Sequence, residues 1–460
     1  MSRKVKTLII TLGVLVLLGA AYYGSTLWNK KKTSDTALLD TTPVKLGNLN
    51  GSDIVKIEIP GLVFERDGNT WALVSVNGEN PPGGIEVDTS RIVAMVFSLA
   101  SLWVERTIDD EPEDLSIYGL DNPSARVTVS CSNGKEVVYL LGDMLPQGNV
   151  YYVMVEGDPK VYSVPSYAVK DMLLTLDNFR IRSLSGTFEF SDFRELHIEK
   201  DGMRIDIVPK PESVPPHLNS SFTVFLMTSP YKLTRSVDSQ SLDNLLASLK
   251  GLQIAEFVND NPSSLGPYGL DKPARIRLGT AEGALDLLIG NQIDEMRYAK
   301  LPNTPGVFTI GGLDPVINVK PFSIIDKFPL ILNIDWVDHL SVTGRADRPL
   351  NADFEGIGDD GVYYLNGKRA EEKSFKNWYQ TVIGLLSDAE LPGPVQNSDG
   401  EGNITIEYTL NTPPGVKASI TLIPYNRDFY ALRQEGTMEF LISRNQVNKI
   451  FDAANAVTFE

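Results

Sequence analysis

A single cysteine, Cys131, stands in 460 residues, so no intramolecular disulfide can form and the fold must rest on its core. Histidine is nearly as scarce. His197, His217 and His339 have no zinc-ligand spacing and no nucleophile beside them. A Gly-x-Ser-x-Gly elbow, a Walker A loop and a Cys-His pairing are all missing, which argues against the commoner hydrolases, NTPases and thiol enzymes. Basic side chains are also in deficit: 42 Lys and Arg face 59 Asp and Glu, for a formal charge of −17. All the basic residues before position 33 lie unopposed, so the remainder is more acidic still and repels nucleic acid and anionic lipid. No nucleic-acid partner is expected, and solubility is the simplest role for that charge.

Long apolar runs are lacking too, with one exception. Leu8 to Trp28 holds no charged residue, is rich in Leu, Ile, Val, Ala and Gly, and has the length of a membrane-spanning helix. Tyr22, Tyr23 and Trp28 suit the headgroup layer, and Lys30, Lys31 and Lys32 follow in water. Arg3, Lys4 and Lys6 balance them on the other flank, so sidedness rests on the short basic head, which favours an inside N-terminus and an uncleaved signal anchor. The expected localisation is a single-pass cell-membrane protein with the bulk of the chain extracytoplasmic.

An internal repeat organises the rest. Leu115-Ser116-Ile117-Tyr118-Gly119-Leu120-Asp121-Asn122-Pro123 matches Leu265-Gly266-Pro267-Tyr268-Gly269-Leu270-Asp271-Lys272-Pro273 at Leu, Tyr, Gly, Leu, Asp and Pro. At the same offset Val87-Asp88 matches Val237-Asp238, and each aspartate is placed to cap an amphipathic helix: Ile92, Val96, Leu99 and Trp103 in one, Leu242, Leu245, Leu249 and Leu252 in the other. Downstream, Leu140-Leu141-Gly142 resembles Leu288-Ile289-Gly290. A third, eroded unit keeps a helix over Phe375 to Leu386 and strands over Asn403 to Leu410, Val416 to Ile423 and Phe429 to Arg433, but no Tyr-Gly-Leu-Asp element. Asp67-Gly68, Asn133-Gly134, Asp201-Gly202 and Asp360-Gly361 signal hairpin turns. The expected class is α+β: an N-terminal transmembrane helix, then tandem repeats of mixed, mainly antiparallel sheet with amphipathic helices. The expected division is an anchor over 1–32, a tether over 33–48, and repeats over 49–187, 188–334 and 335–460.

The spacing Leu-x-x-Tyr-Gly-Leu-Asp-x-Pro before a strand resembles the DUF4340 family, clearly in two copies over about residues 50 to 330 and loosely in a third. The resemblance implies a bacterial envelope location and, for some members, the neighbourhood of ABC transporter components; it brings no catalytic residues with it. Physically the motif reads as a corner between a helical turn and a strand. Gly119 and Gly269 suit a left-handed conformation, Pro123 and Pro273 stop the helix, and Leu120 and Leu270 plug the core. Tyr118 and Tyr268 close the corner by hydrogen bonds or are left free for a partner.

No cofactor and no metal site is expected. Gly356-Ile357-Gly358-Asp359-Asp360-Gly361 has the dinucleotide spacing but is acidic and leads into a strand. Asp353, Glu355, Asp359 and Asp360, like Asn397, Asp399 and Glu401, lack the ordered spacing of a calcium loop and read as solvated turns. Val127, Val129 and Cys131 alternate as one strand face, which makes the thiol an inert core group. A binding or scaffold module is the expected function, with another envelope or transporter protein as partner. The alternative is an envelope glycan- or peptide-processing enzyme, which needs a deep pocket with converging Asp or Glu.

Overall fold

Burial alternates along Ala125–Cys131, where Ala125, Val127, Val129 and Cys131 face inward, and along Ile404–Asn411, where Ile404, Ile406, Tyr408 and Leu410 do. That period of two is the mark of a sheet with one wet face. The computed structural model describes residues 44–460 except 147, 186–187, 216–217, 219–221, 346–347, 357 and 397–398, with the side chain of Asp359 also set aside.

The first sheet has eight strands: β1 (Ile54–Ile59), β2 (Leu62–Asp67), β3 (Thr70–Val76), β4 (Arg106–Asp109), β5 (Ala125–Cys131), β6 (Glu136–Met144), β7 (Val150–Val155) and β8 (Val161–Pro165). Their order is β3-β2-β1-β5-β6-β7-β8-β4. The chain runs up one meander, crosses the inner face as helix α1 (Thr89–Ala100), lays β4 on the far edge, and returns as β5 beside β1. Two nine-stranded sheets, Phe193–Gly311 and Val337–Ser443, repeat this order around helices α2 (Ser239–Ala247) and α3 (Glu372–Ile383). Each adds a short outer strand, Arg235–Ser236 in one and Lys368–Arg369 in the other. The third repeat ends in helix α4 (Arg444–Asn455).

This overturns the expected α+β class of mixed sheets. Every strand pairing among the described residues is antiparallel, and strand predominates. The physical reason is β4: by landing on the far edge it lets the crossing helix rejoin the sheet without a parallel neighbour. No helix among the described residues is long and apolar enough to cross a membrane, and the run Leu8 to Trp28 lies outside those residues. The last part of the expected tether is built into the first repeat. Leu46 is 3% exposed, and its N–H donates to Leu102 O at 2.8 Å.

One device recurs in all three repeats. Asp88, Asp238 and Glu371 each cap their helix, accepting from Ser90 N–H, Ser241 N–H, and Lys373 and Ser374 N–H respectively. Their own N–H groups are held by the end of the same repeat, at Phe179 O, Ile324 O and Thr458 O. A helix start is thus tied to a repeat end, which closes each unit. The third copy keeps this clamp although it has lost the Tyr-Gly-Leu-Asp corner.

The chain divides into two compact units, one of residues up to Pro81 with Ile85–Ile181, the other of Pro82–Gly84 with Arg182–Glu460. The first has its own core around Ile57, Phe64, Ile92, Val127 and Phe179. In the second unit a continuous core joins both repeats, from Phe193 and Leu242 to Phe375 and Phe451.

Candidate functional site

The motif residues form two matching corners. Leu115–Tyr118 and Gly266–Tyr268 are single 3-10 turns that end on Gly119 at φ 65° and Gly269 at φ 68°. Leu120 N–H then reaches back to Leu115 O at 3.0 Å, and Leu270 N–H to Leu265 O at 3.1 Å. Leu120 and Leu270 are buried, Asp121 and Asp271 exposed, and Pro123 and Pro273 half-buried at the strand entry. Each corner sits on a glycine of a later strand. A Cβ on Gly142 would lie 2.1 Å from Tyr118 O, and one on Gly290 would lie 2.0 Å from Tyr268 O.

Both tyrosines are half-buried and occupied. Tyr118 donates to Asp109 Oδ2 at 2.8 Å and meets Tyr152 edge-on at 5.0 Å; the Asp109 carboxylate holds its hydroxyl proton more tightly than usual. Tyr268 meets Tyr298 at 5.1 Å, and its oxygen accepts from Asn259 Nδ2 at 3.4 Å. The twelve residues therefore fix a bend in each of two repeats.

The described histidines belong to the wet faces of their sheets. His197 stands opposite Asp206, with Nδ1 at 2.6 Å from Oδ1 and Nε2 at 3.4 Å from Glu195 Oε2; Arg204 also holds Asp206, at 2.7 Å. Burial alone would raise the Asp206 pKa, but hydrogen bonds from Arg204 and His197 outweigh it and lower the value. His339 pairs with Asp353 across strands at 2.8 Å, and Lys56 lies opposite Glu65 in the first sheet. Such cross-strand pairs are each worth about 0.2–1 kcal/mol. They are sheet ladders without a nucleophile. His217 lies outside the described residues.

Cys131 is 7% exposed, and burial first, then the Asp53 charge, pushes its thiol pKa up, away from reactivity. Among the described residues no group of three or more His, Cys, Asp or Glu could hold a metal ion. The glycine-rich stretch at 356–361 has Gly358 N–H donating to Asp335 Oδ1 at 3.0 Å, so a carboxylate sits where a phosphate would have to bind.

Two clefts occupy equivalent places in the first and third repeats. Each lies between an asparagine-capped 3-10 turn, with Asn50 or Asn333 accepting from the backbone, and the side of the long helix. The first, about 650 Å³, is lined by Asn50, Arg66, Trp71, Val93, Val96 and Phe97 among others. The third-repeat cleft, about 350 Å³, is lined by Asn333, Ile334, Trp336, Lys376, Tyr379 and Gln380, with Phe222 as a further wall. Neither has a carboxylate in its lining. Two others, at Arg348–Leu350 and at Leu184–Ser185, contain between them only Glu282. Among the described residues none of these cavities brings two carboxylates together, as an acid and base pair would require.

The model of the DUF4340 family, a domain of unknown function, matches residues 80–223 and 226–389. The chain belongs to that family. Neither curated proteins nor solved structures return a match. The DUF4340 matches are out of phase with the sheets: the first begins between β3 and α1 and the second within Phe225–Ser229, and each ends in the next repeat, the first past Met203–Pro209 and the second at Ala389–Glu390. A DUF4340 match therefore spans parts of two sheets.

Sequence reasoning missed both clefts and the buried pair Arg235–Glu439, at 3.0 Å, that joins the second and third repeats. The only local signal was apolar residues on a second side of the first helix, Val93 and Phe97, beyond the stripe that enters the core.

Proposed function

We propose that this DUF4340 chain is a binding or scaffold protein of a bacterial cell envelope, held to the membrane through residues 8–28 and working beside a transporter complex. The observation that carries the binding reading is the helix side of the first-repeat cleft. Phe97 is 65% exposed and Val93 38%, four residues apart, and both share a cavity with Trp71. Large apolar side chains held open beside a cavity favour a partner over bulk water. The carboxylate-poor cavities support the same reading against a glycan- or peptide-processing enzyme.

The test is crosslinking in intact membranes followed by affinity capture of the full chain. Recovery of one defined envelope or transporter protein is expected; recovery of none, with hydrolytic activity in the purified protein, would overturn the proposal. For the membrane part, removal of residues 1–32 is expected to release a folded product from the lipid fraction, and continued sedimentation with lipid contradicts it. A C-terminal topology reporter tests sidedness, with an extracytoplasmic signal expected.

A further inference from the structure

The first sheet ends on a strand without a charge. β3 reads Thr70-Trp71-Ala72-Leu73-Val74-Ser75-Val76, pairs only with β2, and apart from Trp71 is half-buried or exposed. In the sister repeats the equivalent strand is covered. Val237 N–H donates to Phe225 O and Ala370 N–H to Tyr363 O, each continuing a covering strand. Among the described residues no strand covers β3, and beyond β2 only its last residue is engaged, Val76 with Glu79. The other sheet edges carry Arg106, Arg235, Glu256, Lys368 and Glu390, so among the described residues β3 is the one edge without a charge. Folded proteins usually blunt edges with charge, proline, a bulge or a cover, because an open row of N–H and C=O groups templates another strand; of these β3 has only the bulge that leaves Val74 unpaired with β2.

The open edge coincides with the apolar helix side. Counted from the helix cap, the places of Val93 and Phe97 are taken by Asp243 and Ala247 in α2 and by Lys376 and Gln380 in α3. Neither sister helix offers a large apolar pair there. Carboxylates also bracket the strand: Asp67 stands opposite Thr70, and Glu79 bridges to Val76.

We propose that β3 is a docking edge for an extended segment of another polypeptide, apolar in its middle and with Lys or Arg at each end, which adds to the sheet as a strand. Main-chain hydrogen bonds to β3 supply affinity, and the cleft of Trp71, Val93 and Phe97 selects an apolar side chain. A second copy fits less well. Antiparallel pairing of β3 with itself sets the Asp67 end of one chain beside the Glu79 end of the other, and like charges there repel. This rests on the binding reading above and names its surface.

The probe is the fluorescent peptide Lys-Thr-Val-Thr-Phe-Thr-Val-Lys, titrated with the full-length protein by anisotropy. Saturable binding is expected, weakened about tenfold or more by Phe97→Glu or by Val74→Lys, a residue without a partner in β2. Replacing both peptide lysines by glutamates should weaken it similarly. Wild-type affinity in both variants, equal binding of a peptide with a central proline, or no saturable binding overturns the proposal. So does a dimer in sedimentation that Val74→Lys dissociates, since that gives the edge to a second copy. Membrane crosslinking that recovers a partner while the peptide fails rejects this edge and retains the wider reading; failure of both rejects both.

Discussion

The first repeat and the fused pair that follows share a topology and differ in what their surfaces face. In the pair, the region after Phe225–Ser229 is consumed by the join. Tyr231 donates to Glu390 at 2.5 Å and meets Phe440 edge-on at 5.0 Å. Arg235, 7% exposed, reaches Gln434 at 2.8 Å and Glu439 at 3.0 Å and lies over the Phe440 ring. Gln434 in turn donates to Pro329 O at 2.6 Å. The first repeat has its own core, an apolar helix side and, among the described residues, an uncovered edge. The difference teaches that copies of one unit can pack in different ways: the second and third share a core, and the first keeps one of its own.

The largest effect is expected at the join. Arg235→Ala leaves the largely buried Glu439 with a hydrogen bond from Lys232 N–H but without its cation, and should destabilise the second unit by about 3–5 kcal/mol. Calorimetry of the full chain checks this: the transition of Arg182–Glu460 should fall while that of the first unit stays in place. A common shift of all unfolding would erase the distinction between the regions.

The corners come next, because they are the feature the first two repeats share. Gly142→Ala and Gly290→Ala each force a Cβ onto a carbonyl oxygen and should cost about 1–3 kcal/mol. The former should lower the first transition and the latter the second. Smaller is the loss of a helix cap, about 1 kcal/mol for Asp88→Ala or Asp238→Ala, again each in its own transition.

The smallest effect concerns acid, and only the second unit. Burial, aided by the nearby Asp238 charge, raises the Asp326 pKa, against hydrogen bonds from Phe328 and Lys327 N–H. A carboxyl that binds its proton more tightly when folded contributes stability below its ordinary range, lost as pH rises through the raised native value. Asp326→Asn should therefore stabilise the second transition at neutral pH and change it little in strong acid. Melting curves across that window check the sign.

Local chemistry was legible in the sequence where the interaction is local. Helix caps at Asp88 and Asp238, the left-handed Gly119 and Gly269, and the alternation of Val127, Val129 and Cys131 all follow from neighbours a few residues apart. Sheet order was less so. Mixed sheets were expected, and nothing in Arg106–Asp109 announces that it crosses to the far edge and keeps the sheet antiparallel. The corner motif pointed to structure, yet its seat on Gly142 and Gly290 depends on strands that arrive later in the chain. The first-repeat cleft assembles Asn50, Trp71 and Phe97 from three elements, and Arg235 finds Glu439 two hundred residues on, beyond any pattern of spacing.

Amide hydrogen exchange on the full chain tests the contrast between open and covered edges most directly. The amides of Thr70–Val76 should exchange faster than those of Phe225–Ser229 and Val362–Leu365, because among the described residues one side of β3 faces no strand. Equal or greater protection of Thr70–Val76 would contradict an edge left open for a partner.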